Sequence, residues 1–348
     1  MLELFPQTVE KGASDLHILN GYFPTVRINS TLFPLTTTEI LTKESCEKLI
    51  FSLLSKEQKE ELESNKEIDI SYEWQNYRFR VNCYYERGVV SSCLRVIPSV
   101  IKTIEELQLP ALLHSLANLN DGLVLLTGPT GEGKSTTLAA ILNEINLTQG
   151  KHIITIEDPI EFIYPRAKSI ISQRELHHDT HSWTKALRGV LREDPNVVLI
   201  GEMRDFDTIQ AALTIAETGH LVFSTLHTST TPEAINRIID VFPPNQQNQI
   251  RHQLASSLRT IISQRLVPNI DNTGRVAALE ILMNVSAVSS LIREGKTFMI
   301  DNVIETGEEH NMILFEKYLA RLYNQNLISR ETALSNAQRP NEIKKFIT

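Results

Sequence analysis

The stretch Gly128-Pro-Thr-Gly-Glu-Gly-Lys134-Ser135 decides the fold class of this chain of 348 residues. It fits the pattern of a glycine, four residues, then glycine, lysine and serine or threonine, and it stands between an apolar run at 123–127 and a helix-forming stretch. In such a loop, backbone N–H groups and the helix N-terminus face phosphate, the lysine reaches the β- and γ-phosphates, and the serine ligates Mg²⁺. The residues expected to bind ATP are Gly128, Pro129, Thr130, Gly131, Glu132, Gly133, Lys134, Ser135 and Thr136.

Short apolar runs alternate with helix-forming stretches around this loop. The runs are 123–126, 153–156, 197–200 and 221–223. This alternation is typical of βαβ units and predicts an α/β fold with a mostly parallel sheet. From Ser286 onward the sequence predicts helices.

The first hundred residues predict a small α+β unit instead. Strand-like pieces at 15–19 and 25–29 precede a helical stretch at 43–64. An antiparallel meander follows, with turns at Asn76 and at Arg87-Gly88 and strands at 69–74, 77–84 and 89–97. Two prolines, Pro98 and Pro110, bracket the change of pattern. We therefore predict domains at 1–98 and 111–348, joined by a linker at 99–110, with a helical C-terminal part at about 286–348.

Three polar side chains come directly after apolar runs that predict strands: Glu157, Glu202 and His227. In open parallel sheets, ligands bind outside the carboxyl ends of the strands, so these side chains should converge with the phosphate-binding loop. Hydrolysis needs a carboxylate for the attacking water, an acid near Mg²⁺ and a donor to the transferred phosphoryl group. The three residues match those needs. His220 lies seven residues before His227 and would face the other side of a continuous strand, so for His220 a core or supporting role is at least as well favoured.

Hydrolysis also needs a cation that neutralises the transition state, which a neighbouring subunit can supply as an arginine finger. Arg78, Arg80 and Arg95 of the meander are candidates. Arg78 and Arg80 are two residues apart and should project from one face of their strand with Asn82. The alternative for all three is an ordinary solvated sheet face.

Composition excludes several other classes. The longest apolar runs are too short to span a bilayer, and the N-terminus lacks the pattern of a secretory signal, so we expect a cytoplasmic protein. The three cysteines are well separated and indicate neither a disulfide framework nor a zinc site. A net charge of -8 argues against a surface that coats nucleic acid.

Five motifs carry a resemblance that covers nearly the whole chain: GASDLH at 12–17, GPTGEGKST at 128–136, TIEDPIEF at 155–162, LREDPNVVLIGEMRD at 191–205 and TGHLVFSTLHT at 218–228. Together they closely resemble the secretion ATPases, in particular the PilT-type ATPases that retract type IV pili. The resemblance implies a RecA-like ATPase core, a PAS-like N-terminal domain and a homo-hexamer. It also implies an inner-membrane platform partner, peripheral membrane association through partners, a place at the cytoplasmic face of the inner membrane, and no nucleic-acid partner.

The resemblance also assigns roles to single residues. Glu157 would be the general base, Glu202 the atypical Walker B acid and a Mg²⁺ ligand with Ser135, and His220 and His227 a His-box pair near the nucleotide. Arg78, Arg80 and Arg95 match arginines that reach nucleotide from the N-terminal domain.

Two stretches depart from the family pattern. Retraction enzymes carry Ala-Ile-Arg-Asn-Leu-Ile-Arg-Glu near the C-terminus, whereas residues 287–294 read AVSSLIRE. Glu132 stands where the family usually has a small residue; its carboxylate is expected to point outward, although weaker nucleotide binding would follow if it faced the phosphates.

Three alternatives remain at this point. A pilus assembly or type II secretion ATPase would usually add an N-terminal domain and a four-cysteine zinc element, and neither is present in the sequence. A RecA-like nucleic-acid motor would show a basic surface with interleaved aromatics. A catalytically idle P-loop protein would not need Lys134, Glu157 and Glu202 together.

Overall fold

The computed structural model describes residues 3–28, 31–75, 77–97 and 100–347. The chain divides into two compact units. The first comprises Met1–Val100 with Glu161–Ile163, and the second comprises Ile101–Ile160 with Tyr164–Thr348. No helix in the described ranges is long and apolar enough to cross a membrane.

The first unit is a six-stranded antiparallel sheet with three helices, and the strand order is β3-β2-β1-β6-β5-β4. Its strands are β1 (Asp15–Ile18), β2 (Thr25–Ile28), β3 (Thr31–Pro34), β4 (Glu67–Trp74), β5 (Tyr77–Glu86) and β6 (Val89–Ile97). Its helices are α1 (Leu4–Glu10), α2 (Lys43–Phe51) and α3 (Lys56–Asn65). Phe5, Leu16, Ile50, Phe79 and Leu94 are fully buried in its core.

The meander β4-β5-β6 follows the prediction closely. Arg87 and Gly88 turn the chain between β5 and β6 with φ angles of 51° and 78°. The predicted turn at Asn76 lies outside the described residues. The predicted helical stretch 43–64 forms two helices, because Ser55 caps a new helix by accepting a hydrogen bond from the backbone N–H of Gln58 at 3.2 Å.

The second unit is a seven-stranded mixed sheet with the order β13-β12-β7-β11-β10-β8-β9. The strands are β7 (Gly122–Thr127), β8 (His152–Glu157), β9 (Ile170–Glu175), β10 (Val197–Ile200), β11 (Leu221–Leu226), β12 (Leu258–Pro268) and β13 (Arg275–Met283). Six of these strands run parallel, and β13 is antiparallel to β12.

Helices cover both faces of this sheet. The helices are α4 (Leu112–Ala117), α5 (Lys134–Thr148), α6 (Trp183–Val190), α7 (Phe206–Glu217), α8 (Thr231–Asp240), α9 (Pro244–Ser257), α10 (Ser286–Glu294), α11 (Ile300–Thr306), α12 (Phe315–Asn324), α13 (Arg330–Asn336) and α14 (Pro340–Ile343). Two 3₁₀ turns, Thr297–Met299 and Glu308–His310, flank α11.

Alternation along β7 explains this layering. Leu123 and Leu125 pack into the core beneath α6 to α11, whereas Val124 and Leu126 pack into the core beneath α4, α5 and α12 to α14. Because both faces are covered, the strands read as continuous apolar runs, which is why the sequence shows them clearly. The predicted α/β class and the antiparallel N-terminal sheet are confirmed.

Candidate active site

Four adjacent parallel strands, β8, β10, β11 and β7, bring the predicted site residues to one edge of the sheet. Glu157 is the last residue of β8, Glu202 follows β10, His227 follows β11, and the loop 128–133 follows β7. Their side chains meet in part: the Thr130 hydroxyl lies 3.5 Å from His227 Nδ1, and His227 Nε2 lies 3.3 Å from a carboxylate oxygen of Glu202. The convergence predicted from the strand ends is therefore present in the structure.

The phosphate-binding loop is folded around its own lysine. The buried Lys134 ammonium donates hydrogen bonds to the carbonyls of Gly128, at 2.6 Å, and Pro129, at 2.8 Å. Lys134 opens α5, whose first turn also carries Ser135 and Thr136. The positive end of the helix dipole and an ammonium group thus lie at one loop, an arrangement that favours an anion.

Position 128 needs a glycine because the backbone of β12 comes very close to it. Its φ of 140° lies in the region that favours glycine, and an added Cβ would stand 2.3 Å from the backbone carbonyl oxygen of Gln264. The loop therefore passes against β12 with no room for a side chain at this point.

Glu157 is held in a fixed orientation inside the edge of the sheet. Its residue exposure is 8%, and its Oε1 accepts hydrogen bonds from the Thr155 hydroxyl at 2.6 Å and from the Gln173 amide at 3.3 Å. Donors of this kind fix the orientation of the carboxylate, which suits a group that accepts a proton from water.

Glu202 is more open and contacts an arginine and a histidine. It bonds Arg204 at 2.5 Å as well as His227. The residue before it must be small, since a Cβ on Gly201 would lie 3.3 Å from the Ile156 carbonyl oxygen and 3.4 Å from the Glu157 Cα. The tight packing of β10 on β8 thus explains the glycine that stands before this acid.

The structure separates His220 from the other predicted site residues. It precedes β11, at the end of the strand opposite to His227, and its Nδ1 lies 3.0 Å from the Thr218 hydroxyl and 3.2 Å from the Ile215 carbonyl. Six strand residues separate the two histidines by about 20 Å. Within one chain, His220 thus lies away from the phosphate-binding loop, so its place among the nucleotide-binding residues stays a prediction, and the supporting role weighed for it fits its contacts.

The three candidate arginines lie together in the first unit. Arg80 stands opposite Arg95 across β5 and β6, and the pattern of burial along β5 places Arg78 and Arg80 on the less buried face, as predicted. Each is paired with a carboxylate in the same sheet. The pairs are Arg78 with Glu73 at 3.6 Å, Arg80 with Asp69 at 3.2 Å and Arg95 with Asp15 at 3.0 Å.

Sequence reasoning missed several polar groups that support this edge. Gln173 on β9 bonds Glu157, and Gln264 on β12 contacts the phosphate-binding loop, although neither strand was predicted. Glu280 on β13 is 2% exposed and accepts hydrogen bonds from the backbone N–H, at 2.8 Å, and the hydroxyl, at 3.0 Å, of Thr231. A polar residue inside an otherwise apolar run was the available signal for Glu280, whereas Gln264 lies between Ser263 and Arg265 and gave no such signal.

Burial raises the pKa of Glu280. The hydrogen bonds from Thr231 oppose this shift, the nearby Asp301 adds to it, and Arg339 opposes it. A carboxyl group whose pKa is higher in the folded chain binds its proton more tightly there than in the unfolded chain. Its contribution to stability is therefore present at low pH and is lost as pH rises through the folded pKa.

Glu280→Gln should consequently stabilise the protein at alkaline pH. The amide oxygen can still accept from Thr231, while the cost of a buried charge is removed, so we expect Tm at pH 8.5 to rise by about 2–4 °C, the shift that ~1 kcal/mol gives in a sizeable domain. The gain should shrink toward pH 5. Thermal unfolding at both pH values measures this, with the exposed Glu331→Gln as control; a gain independent of pH would contradict the assignment.

Comparisons with known proteins agree with this geometry. The family model for type II/IV secretion system proteins matches residues 6–344. The chain is 42% identical over 339 residues to the type IV pilus retraction ATPase PilT of Pseudomonas aeruginosa, covering 97% of this chain and 98% of that one. It is 45% identical over 316 residues to a twitching motility protein of Neisseria gonorrhoeae, covering 90% and 84%.

A solved structure gives the same result. The crystal structure of the pilus retraction motor PilT with bound ADP superimposes with a TM-score of 0.93 at 44% identity, covering 99% of each chain. The resemblance read from the sequence motifs is confirmed by these matches.

Proposed function

The chain belongs to the type II/IV secretion system protein family, and we propose that it is an ATPase whose hydrolysis drives the retraction of type IV pili. The observation that carries the proposal is the convergence of a phosphate-binding loop, Glu157, Glu202 and His227 on one sheet edge, in a chain that matches PilT along nearly its whole length. The same observation disfavours an idle P-loop protein, because the acids that hydrolysis needs are in place.

The chain's own residues supply the steps of hydrolysis. The loop 128–136 binds the phosphates of ATP, with the Lys134 ammonium leaving its carbonyl partners for phosphate oxygens. Glu157 accepts the proton of the attacking water, and its fixed Oε1 contacts keep the carboxylate aimed. His227, between Thr130 and Glu202, donates toward the γ-phosphate.

Mg²⁺ fits this edge by its donor chemistry. Ser135 offers a hydroxyl oxygen in the first turn of α5, and Glu202 offers a carboxylate, both hard oxygen ligands. No cluster of three His, Cys, Asp or Glu side chains suited to a metal occurs in the part of the chain that the structure describes. Few protein ligands are usual for Mg²⁺ that binds with phosphates, and the ion would neutralise developing charge on them.

The finer architecture and assembly belong to the proposal as well. We assign the N-terminal part, residues 1–98, to a PAS-like domain and residues 111–348 to a RecA-like core, linked by residues 99–110. Six copies would form a ring at the cytoplasmic face of the inner membrane, associated with the membrane through a pilus platform protein. Arginines from neighbouring subunits would complete the sites.

A pilus assembly motor is the second candidate, because AVSSLIRE departs from the pattern of retraction enzymes. The structure gives the surroundings of two of the replaced residues, Val288 and Ser289. Val288 is fully buried in the core, and the Ser289 hydroxyl has two acceptors within reach of its one hydrogen, the Ala255 carbonyl oxygen at 3.1 Å and Asn284 Oδ1 at 2.9 Å. These two replacements are accommodated inside α10 and its neighbours, and the match to a retraction ATPase over 97% of the chain favours retraction.

Deletion of the gene tests the direction of action. Cells of the source organism should still extend pili but not withdraw them, so electron microscopy should show more surface filaments and motility assays should show no twitching. Complementation with the wild-type gene should restore retraction, and complementation with Glu157→Gln should not. Bald cells would instead identify an assembly motor.

A further inference from the structure

β12 runs on past the end of its neighbour β7. Thr127, the last residue of β7, pairs with Ser263, and β12 continues to Pro268 alongside the phosphate-binding loop. Beyond Ser263, backbone groups on that side of β12 have no strand partner within this register. They need other partners wherever water is excluded.

The loop itself provides those partners. The backbone N–H of Leu266 donates to the Glu132 carboxylate at 2.5 Å, so the acid that stands in place of a small residue faces β12. The Gln264 side chain, in a residue only 1% exposed, bridges two parts of the site. Its amide donates to the Glu132 carbonyl at 2.7 Å, and its oxygen accepts from the Thr137 hydroxyl on α5 at 2.9 Å.

Backbone packing reinforces these contacts. The Gln264 carbonyl closes on Gly128, and an added Cβ on Gly133 would meet the Gln264 amide at 3.1 Å. β12 therefore contacts the loop at Gly128, Glu132 and Gly133. A loop with three glycines in eight residues loses much conformational freedom when it orders around phosphates, and contacts that order it beforehand reduce that cost.

We infer that Glu132 and Gln264 are positioning residues that brace the phosphate-binding loop against β12 and so raise nucleotide affinity. This inference rests on the proposed ATPase function. It also opposes the simplest expectation for a carboxylate in such a loop, namely repulsion of the phosphates, because the Leu266 N–H holds the charge on the β12 side. When the carboxylate is removed, bracing predicts weaker nucleotide binding and repulsion predicts tighter nucleotide binding.

Paired variants separate the explanations. Glu132→Ala removes the acceptor, whereas Glu132→Gln keeps an acceptor oxygen and removes only the charge. Thr137→Val removes the hydroxyl that reaches Gln264, and Thr137→Ser restores it. Each variant is tested for binding of a fluorescent ADP analogue and for the KM and kcat of ATP hydrolysis, with Tm recorded to confirm folding.

Bracing predicts that Glu132→Ala and Thr137→Val raise the nucleotide Kd and the KM about fivefold to tenfold, the size of one lost hydrogen bond, with kcat within about twofold. Thr137→Ser should stay within about twofold of wild type in all three constants, and Glu132→Gln, which keeps an acceptor oxygen, should raise Kd and KM less than Glu132→Ala does. Tighter binding by both Glu132 variants would establish repulsion and overturn the inference. Unchanged binding by Glu132→Ala and Thr137→Val would also overturn it. Wild-type protein that binds no nucleotide would instead reject the proposed function.

Discussion

Glu157→Gln is expected to lower the turnover number for ATP by about 10²–10⁴-fold, the range for loss of a general base, while nucleotide affinity stays near that of wild type. Glutamine has almost the same shape and still offers Oε1 to the Thr155 hydroxyl and the Gln173 amide, so the edge of β8 should keep its structure. It cannot accept a proton from water at neutral pH. Binding and chemistry should therefore separate.

Lys134→Ala should instead weaken nucleotide binding, which distinguishes it from Glu157→Gln. It removes the ammonium that faces the β- and γ-phosphates, so affinity should fall together with turnover. Phosphate release and equilibrium binding of an ADP analogue, measured on both variants, give the two patterns. If Glu157→Gln keeps more than about a tenth of the wild-type rate, the base is another group.

The phosphate-binding edge was predictable because its signals are local. A strand, a glycine-rich loop and a helix are adjacent in sequence, and Glu157, Glu202 and His227 each mark the end of an apolar run. Parallel strands bring such ends together whatever their order in the sheet. The strand order β7-β11-β10-β8, the contact of His227 with Glu202, and the supporting Gln173 and Gln264 had to come from the structure.

The strands that the sequence did not predict are those whose polar side chains form hydrogen bonds or ion pairs with residues far away in the chain. β12 carries Thr260, Ser263 and Gln264, and their side chains bond Leu282, Ser229 and the phosphate-binding loop. These polar residues hide the strand pattern, because their partners come from other parts of the chain. β9, at the edge of its sheet, has the sequence IISQRE, and its polar residues obscure the strand pattern in the same way. Gln173 donates a hydrogen bond to Glu157, and Arg174 pairs with Glu193.

His220 shows a different limit. The motif TGHLVFSTLHT places both histidines next to one strand and does not by itself separate them, although only His227 follows the carboxyl end, where ligands of parallel sheets bind. The hydrogen bonds of His220 to Thr218 and Ile215 tie it to the end of α7, at the amino end of β11. Position along the strand, rather than the face of the strand, decides which histidine can reach the nucleotide in its own chain.

The second large loss of turnover is expected when the arginines of β5 and β6 are replaced. Replacing Arg78, Arg80 and Arg95 together by alanine should reduce turnover by about 10³-fold or more, the contribution of an arginine finger. Their present partners do not prevent such a role. Arg80 and its partner Asp69 are both substantially exposed, and exposed ion pairs contribute only about 0–1 kcal/mol, so exchange of Asp69 for a phosphate costs little. Arg95 is exposed but its partner Asp15 is buried, and Arg27, 3.9 Å from Asp15, stays beside that carboxylate when Arg95 turns to a phosphate.

Arg27→Ala is the matched control for this set. Arg27 lies 3.9 Å from the same carboxylate, Asp15, that Arg95 bonds, but it stands on β2 and has no place among the candidate arginines. Its removal should leave turnover within about twofold of wild type, because Arg95 still pairs with Asp15 at 3.0 Å. A loss as large as that of the triple variant would indicate that Asp15 and the sheet, rather than the candidate arginines, support activity.

Mixing shows whether the arginines act on a neighbouring subunit. The triple variant keeps an intact core with Lys134 and Glu157, and the Lys134→Ala variant keeps intact arginines, so a ring containing both can assemble complete sites only across subunits. In an equal mixture, about a quarter of the sites should be complete, since half of the cores are intact and half of their neighbours carry the arginines. Each variant alone should remain nearly inactive. Absence of any recovery in rings proven to contain both chains would mean that the arginines serve their own subunit or do not contact nucleotide.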